Sequence, residues 1–221
     1  MTKYGQSNRV LKREVLSIIS SDNWEERLEE LMELPAMQVT NALIASLCNT
    51  DEEIKWRVIT AIGVTVSCLA DDDMESTRII IRRLMWSLNS ESGGIGWGAP
   101  EAMAEIMSCH SVLAEEFAQI FVSYAVHDGD NFLELPALQR GVLWGLGRLS
   151  QIRPELMQDI PAELCFFFRS DDAEVRGLAA WVAGIMKAGE LTGNIEKLLY
   201  DDTEIHLYLD RVLQKRQVRE I

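Results

Sequence analysis

Two sets of arginine and tryptophan residues stand at helical spacing. Arg140, Trp144 and Arg148 fall at i, i+4 and i+8, and Arg82 and Trp86 fall at i and i+4 with Arg83 beside them. On a helix each set makes a stripe along one face. Guanidinium groups pair bidentately with carboxylates or phosphates and stack on aromatic rings, so such stripes have the chemistry to hold an acidic peptide or a small anionic ligand. The same chemistry ties neighbouring helices together, and Glu91, Glu101 and Glu134 are available for such pairs. At about 100° per residue, the centre of the Arg140 stripe lies roughly 200° from Leu138, Val142, Leu146 and Leu149. It is therefore expected to face away from the main core contact of its helix.

Between the two stripes runs the stretch SESGGIGWGAPE, Ser90 to Glu101, with four glycines and a tryptophan. Glycine permits positive φ and close backbone approach, which a phosphate, a partner or a neighbouring helix can each require. A phosphate cradle is disfavoured. Nucleotide-binding glycine motifs follow a strand, and neither a strand nor a Gly-Lys-Ser/Thr is read here. Pro100 at the first helical position and Glu101 just inside would also place a carboxylate where an anion should sit. A packed structural turn and a contact loop remain. The candidate binding residues are Arg82, Arg83, Trp86, Asn89, Glu91, Gly94, Gly96, Trp97, Glu101, Arg140, Trp144 and Arg148, a set that includes no catalytic residue.

Other chemistry is thinly represented. His110, His127 and His206 occur without metal-ligand spacing. His127-Asp128-Gly129-Asp130-Asn131 lacks the spacing and terminal Glu of a calcium loop, and no metal or cofactor is expected. Cys109 and His110 are adjacent, so on a helix they point apart and do not make a nucleophile–base pair. The four cysteines, Cys48, Cys68, Cys109 and Cys165, form no C-x-x-C and sit among apolar residues, as small hydrophobes would. A formal charge of −14 disfavours nucleic acid as a partner. With no apolar run near the roughly 20 residues of a membrane span, and no secretory signal pattern, neither membrane insertion nor export is expected. The chain is placed in the cytoplasm.

The elements that must carry these residues repeat. Thr50 to Gly63 aligns without a gap to Asp171 to Gly184, each opening with a capping-box pattern, Thr50-x-x-Glu53 and Asp171-x-x-Glu174. Both continue through an aliphatic residue and a base into a small-residue helix. Weaker copies place Ala104 and Gly147 at the position of Gly63 and Gly184, a period near 40. Two helices per period is the pattern of a helical solenoid. Ile54, Val58, Ala61, Ile62, Thr65 and Leu69 mark the buried stripe of the first copy. Asp22-x-x-Glu25 suggests a cap for an N-terminal hairpin, and Asp71-Asp72-Asp73 one for a helix from Met74.

The acid-x-Glu-(Ile/Val)-(Lys/Arg) turn and its small-residue helix resemble the HEAT-like repeats of the phycobilin-lyase type. The stretches Met74–Asn89, Ser90–Glu101 and Leu138–Leu149 resemble a narrower bacterial family of small HEAT-repeat proteins. The resemblance implies an all-α, right-handed α-solenoid of about five HEAT-like hairpins, at 8–34, 36–70, 74–109, 111–150 and 154–188. A charged segment, 194–217, is expected to close the stack with a polar face. Such repeats scaffold many unrelated proteins, so lyase activity does not follow. The expected role is a non-enzymatic adaptor that binds a protein partner through one face. The alternative is binding or chaperoning of a tetrapyrrole-like or other small anionic molecule, and nucleic-acid repair comes last.

Overall fold

The computed structural model describes residues 8–89, 94–158 and 160–221. Within them the chain is mostly helical, in the order α1 (Asn8–Ile19), α2 (Leu28–Met32), α3 (Ala36–Ile44), α4 (Glu52–Asp72), α5 (Met74–Ser87), α6 (Ala99–Cys109), α7 (Ser111–Ser123), α8 (Pro136–Ile152), α9 (Ile160–Phe167), α10 (Ala173–Met186) and α11 (Thr192–Leu198). An antiparallel hairpin follows, β1 (Glu204–Leu209) and β2 (Val212–Gln217). None of the described helices is long and apolar enough to cross a membrane.

Helices α4, α6, α8 and α10 pack on one another in chain order, while α3, α5, α7 and α9 sit outside this row. Burial follows from that position. On α4 the run from Val58 to Gly63 is buried on all sides, because the helix has neighbours on several faces and a single apolar stripe does not suffice. The small residues that mark the repeat stand where the row is tightest. A Cβ on Gly63 would strike the Glu105 side chain of α6, one on Gly145 would strike Phe121 and Ala104, and one on Gly147 would enter the Trp181 ring of α10. Nothing lies within 4 Å of the corresponding site at Gly184, on the last helix of the row. Alanine in an open helical site gains up to about 1 kcal/mol over glycine. Gly184→Ala should therefore raise the unfolding midpoint slightly, while Gly147→Ala should lower stability by about 2 kcal/mol against the rigid indole. Thermal unfolding of the two variants checks both signs.

Helix starts fall one residue later than the capping boxes indicate. Asp51 and Asp172 are the N-caps, accepting from the amides of Ile54 and Val175. Because both shift together, the internal repeat is kept. Asp73 caps α5 through the amide of Ser76, as expected, although Asp71 and Asp72 still belong to α4. The expected cap at Asp22 does not form; turns run to Arg27 and the second helix starts only at Leu28. There Arg57 of α4 donates to the carbonyls of Ile19 and Ser21, supplying from outside the partners that the end of α1 needs.

Within the expected cap, 194–217, the all-α expectation is corrected. Only a short helix forms, and the hairpin takes the rest. Ile205, Leu207 and Tyr208 are buried, and the Ile-His-Leu-Tyr-Leu run favours a strand more than its charged surroundings suggest. Its turn is also disguised. Asp210 and Arg211 both take positive φ, 50° and 64°, in a two-residue connection where Asn-Gly is the usual signal.

All four cysteines are free, and the expectation that they pack as small hydrophobes is corrected, since each is exposed. Cys109 differs in its sulfur, which lies against the backbone of α4 at Gly63. Burial of that sulfur, reinforced by the charge of Glu105, pushes the thiol up to about 11. Since the thiolate is the nucleophile, Cys109 should be alkylated at least about tenfold more slowly than the other three at pH 8, read by mass spectrometry of a time course. His110 turns away, its Nδ1 accepting from the Leu113 amide to cap α7.

Candidate functional site

The row of inner helices presents one shared face, and the hairpin lies across it. Tyr208 of β1 stacks on Trp56 of α4 at 4.6 Å and nearly parallel, and Trp56 meets Trp144 of α8 at 4.7 Å. The Tyr208 hydroxyl is 3.0 Å from Thr60 Oγ1, and Trp144 Nε1 donates to the Tyr208 carbonyl at 2.8 Å. Further along, His206 meets Glu52 and Arg211 meets Glu25. The hairpin thus packs on α10, at the end of the row, and reaches back to the segment that follows α1. Arg211 holds a left-handed conformation that costs a non-glycine residue of order 1 kcal/mol, and its side chain supplies the link to Glu25.

Trp144, on the face away from the main core contact of α8, is nonetheless buried, 4% exposed, because the hairpin covers it. The helical periodicity reads only the core contact of α8, whereas the opposite face is covered by a segment distant in sequence. The two arginines of the stripe are each held by carboxylates. Arg140 Nε lies 3.1 Å from both carboxylate oxygens of Asp172, and the same guanidinium pairs with Glu174. Arg148 Nε lies 2.9 Å from Glu105. Lys55 meets Glu101 at 2.9 Å, and Arg176 Nε meets Asp201 at 2.9 Å. The first three run from helix to helix along the row, and the fourth ties α10 to the segment that leads into the hairpin. Of the carboxylates expected as partners, Glu101 takes part, and with Lys55. Glu91 lies outside the described residues, and Glu134 borders a separate cleft.

Electrostatics along the ladder follow its geometry. Burial disfavours the charged form of Asp172, but the Arg140 hydrogen bonds and the Val175 amide outweigh it, so its carboxyl is held below the ordinary aspartate value of 3.8. Asp201 is lowered against a similar burial penalty, with Thr203 and Arg176 as its partners. A carboxyl depressed in the folded state stabilises that state above its unfolded value, and the contribution disappears as pH falls through the folded value. Acid titration should therefore show stability falling below about pH 4, with a smaller fall in Asp172→Asn.

The second stripe lies elsewhere. Arg82 pairs with Glu75 at 3.0 Å and Arg83 donates to Asn41 Oδ1 at 2.6 Å. Trp86 is 57% exposed and Trp97 46%. Arg82, Trp86, Asn89 and Gly94 border a cleft of about 780 Å³ shared with the segment from Asp130 to Leu135. Arg83, Trp86, Gly94, Gly96 and Trp97 border another of about 400 Å³. Trp97, Glu101, Arg140 and Trp144 border an inner cavity of about 170 Å³, and Trp144 and Arg148 one of about 300 Å³. The two arginine sets are thus not brought into one pocket; Trp97 is the residue that stands at both the outer cleft and the inner cavity.

The glycine stretch is fastened where it is described. Gly96 and Gly98 have φ of 66° and 72°, and side chains there would strike Ser87 O and Leu47. Gly98 is the N-cap of α6, so Pro100 falls at the second helical position and Glu101 at the third. Glu101 is buried, its carboxylate pressed against Gly141 of α8. Gly141 and Gly145 therefore admit side chains, Glu101 and Phe121, and not a neighbouring backbone.

Among the described residues no group of three or more His, Cys, Asp or Glu is placed to hold a metal. His127 instead stacks on Phe166 at 3.8 Å. Sequence reasoning missed Lys55, Trp56, Glu105, Asp172, Glu174, Trp181, His206 and Tyr208. Lys55, Trp56, Asp172, Glu174 and Trp181 stand inside the two repeat copies, where the matched pairs Asp51/Asp172, Glu53/Glu174 and Lys55/Arg176 were the available signal; the two rings have no counterpart in the other copy.

No family model and no curated protein matches this chain. Among solved structures, an engineered protein from the Northeast Structural Genomics Consortium is similar over 88% of this chain and 90% of its own, with 17% identity and a TM-score of 0.48.

Proposed function

We propose that this chain is a non-enzymatic helical-repeat scaffold, a short right-handed HEAT-like solenoid, that holds a protein partner in the cleft beside Trp86 and Trp97. The observation that carries the reading is the pair of half-exposed indoles at one cleft of about 400 Å³. Tryptophan is enriched among the residues that dominate binding energy, and an indole left in water is a cost that a partner removes. The chain-order packing of α4, α6, α8 and α10 and the paired caps at Asp51 and Asp172 support the solenoid.

The partner's chemistry follows from charge. Arg82 is engaged by Glu75 and Arg83 by Asn41, and the chain carries −14. A basic amphipathic segment, apolar side chains in the cleft and cationic ones toward the acidic surface, is favoured over an acidic one. An anionic small molecule or nucleic acid would need uncommitted guanidinium groups, and Arg140 and Arg148 are both bound to carboxylates.

Affinity capture from the source cells tests the reading with wild type, Trp86→Ala/Trp97→Ala and Tyr200→Ala, the last at an exposed site away from the cleft. Wild type and Tyr200→Ala should recover the same partner, and the tryptophan pair at least about tenfold less. Equal recovery by all three overturns the assignment.

A further inference from the structure

The inner cavity of about 170 Å³ has walls that partner docking leaves unexplained. Four aromatic side chains reach it from four segments: Trp56 of α4, Trp97 of the glycine stretch, Trp144 of α8 and Tyr208 of β1. The faces of such rings carry negative potential and attract cations. One cation already uses them, since the Lys55 ammonium lies 5.5 Å from the centroid of Trp56.

Charge around the cavity has one sign in excess. Glu52, Glu101 and Glu174 line it. Lys55 neutralises Glu101, but Arg140 is shared between Glu174 and Asp172. Among the described residues Glu52 pairs with His206, 3.0 Å away, and with no lysine or arginine. Three lining carboxylates are thus set against two lining cations, Lys55 and Arg140, the second of which is also engaged by Asp172 outside the lining, in a chain whose net charge of −14 adds to the same field. The space is smaller than the roughly 300 Å³ at the low end for drug-sized ligands, so it suits a head group.

We propose that the cavity lined in part by Trp56, Trp97, Trp144 and Tyr208 binds the quaternary ammonium head of a small organic cation. Methyl groups on a quaternary head pack against the rings while the charge is met by the rings and the surplus carboxylates, and such a head, having no N–H, needs no hydrogen-bond acceptor. Trp144 and Tyr208 are buried and form the back wall, and half-exposed Trp97 forms the side open to solvent. The site does not rest on the docking reading, because Trp97 is its one residue in common with the cleft at Trp86.

The test titrates the full chain with choline chloride and with choline's neutral tert-butyl isostere, in which carbon replaces the quaternary nitrogen. Tryptophan fluorescence and ligand-observed NMR are followed at ionic strength held constant with sodium chloride. Choline should bind saturably, with the isostere at least about tenfold weaker. Trp97→Leu should weaken choline about tenfold and Trp97→Phe should retain most of the binding; both keep the wild-type melting temperature, since Trp97 lies outside the core. Trp86→Ala should bind choline as wild type does, so a lost protein partner and a lost cation are separable. Absence of saturable choline binding, equal binding of the isostere, or unchanged binding in Trp97→Leu overturns the proposal.

Discussion

Tyr208→Ala should destabilise the chain by about 3–4 kcal/mol, the range for deleting a buried aromatic side chain. The ring is 6% exposed, stacked on Trp56 and hydrogen-bonded to Thr60. For a domain of this length such a loss lowers the melting temperature by on the order of 10 °C. Tyr208→Phe should cost about 1–2 kcal/mol, because the stack survives but the Thr60 hydroxyl, itself buried, is left without its partner. The alanine variant is the larger test because a two-stranded hairpin is marginal by itself and persists only where it is packed. Without the Tyr208 ring, β1 loses its seat on Trp56 and Trp144. Hydrogen exchange of the amides from Ile205 to Gln217 should then rise by more than that of α8. Equal, small changes across both elements would mean that the hairpin is held chiefly from α10.

The contrast between helices and hairpin explains what the sequence made legible. Helices are read from contacts three and four residues apart, and the aliphatic stripe of α4 and the caps near Asp51 and Asp172 are of that local kind. The positions of Gly63, Ala104 and Gly147 follow from a period, which is also visible in one dimension. What covers the face of α8 is not. Tyr208 lies 64 residues from Trp144 and 148 from Thr60, and no local pattern states that a strand will return across the row. The turn hid it further, with Asp210 and Arg211 where glycine is usual. The candidate site divided along the same line. Arg140 and Arg148 were legible as a stripe, but their partners, Asp172, Glu174 and Glu105, lie on the next or preceding helix of the row. Exposure of Trp86 and Trp97 was not legible at all, since helical and loop spacing do not say which ring a neighbouring element will cover.

Lys55→Met should cost about 3 kcal/mol, and the reason lies in what it abandons. Glu101 is nearly buried, its side chain 6% exposed, and Lys55 meets it at 2.9 Å. Removing one partner of a buried pair leaves a charge without compensation, which costs about 3–5 kcal/mol. The position of Glu101 in the first turn of α6 lowers that figure somewhat, because the helix N-terminus favours a carboxylate. Glu101→Gln keeps the shape against Gly141 and removes the charge, so it should cost only about 1 kcal/mol. With both changes the stranded charge is gone, and the double variant should be less stable than wild type by only about 1–2 kcal/mol, a coupling of about 2–3 kcal/mol. Denaturant unfolding of the four proteins measures it. Additive losses would mean that water, and not Lys55, compensates Glu101, and the ladder would then contribute little to holding α4, α6 and α8 together. Coupling of the expected size would instead make this pair part of what fixes the spacing of those helices, and with it the geometry of the cavity that Trp56 and Trp144 share.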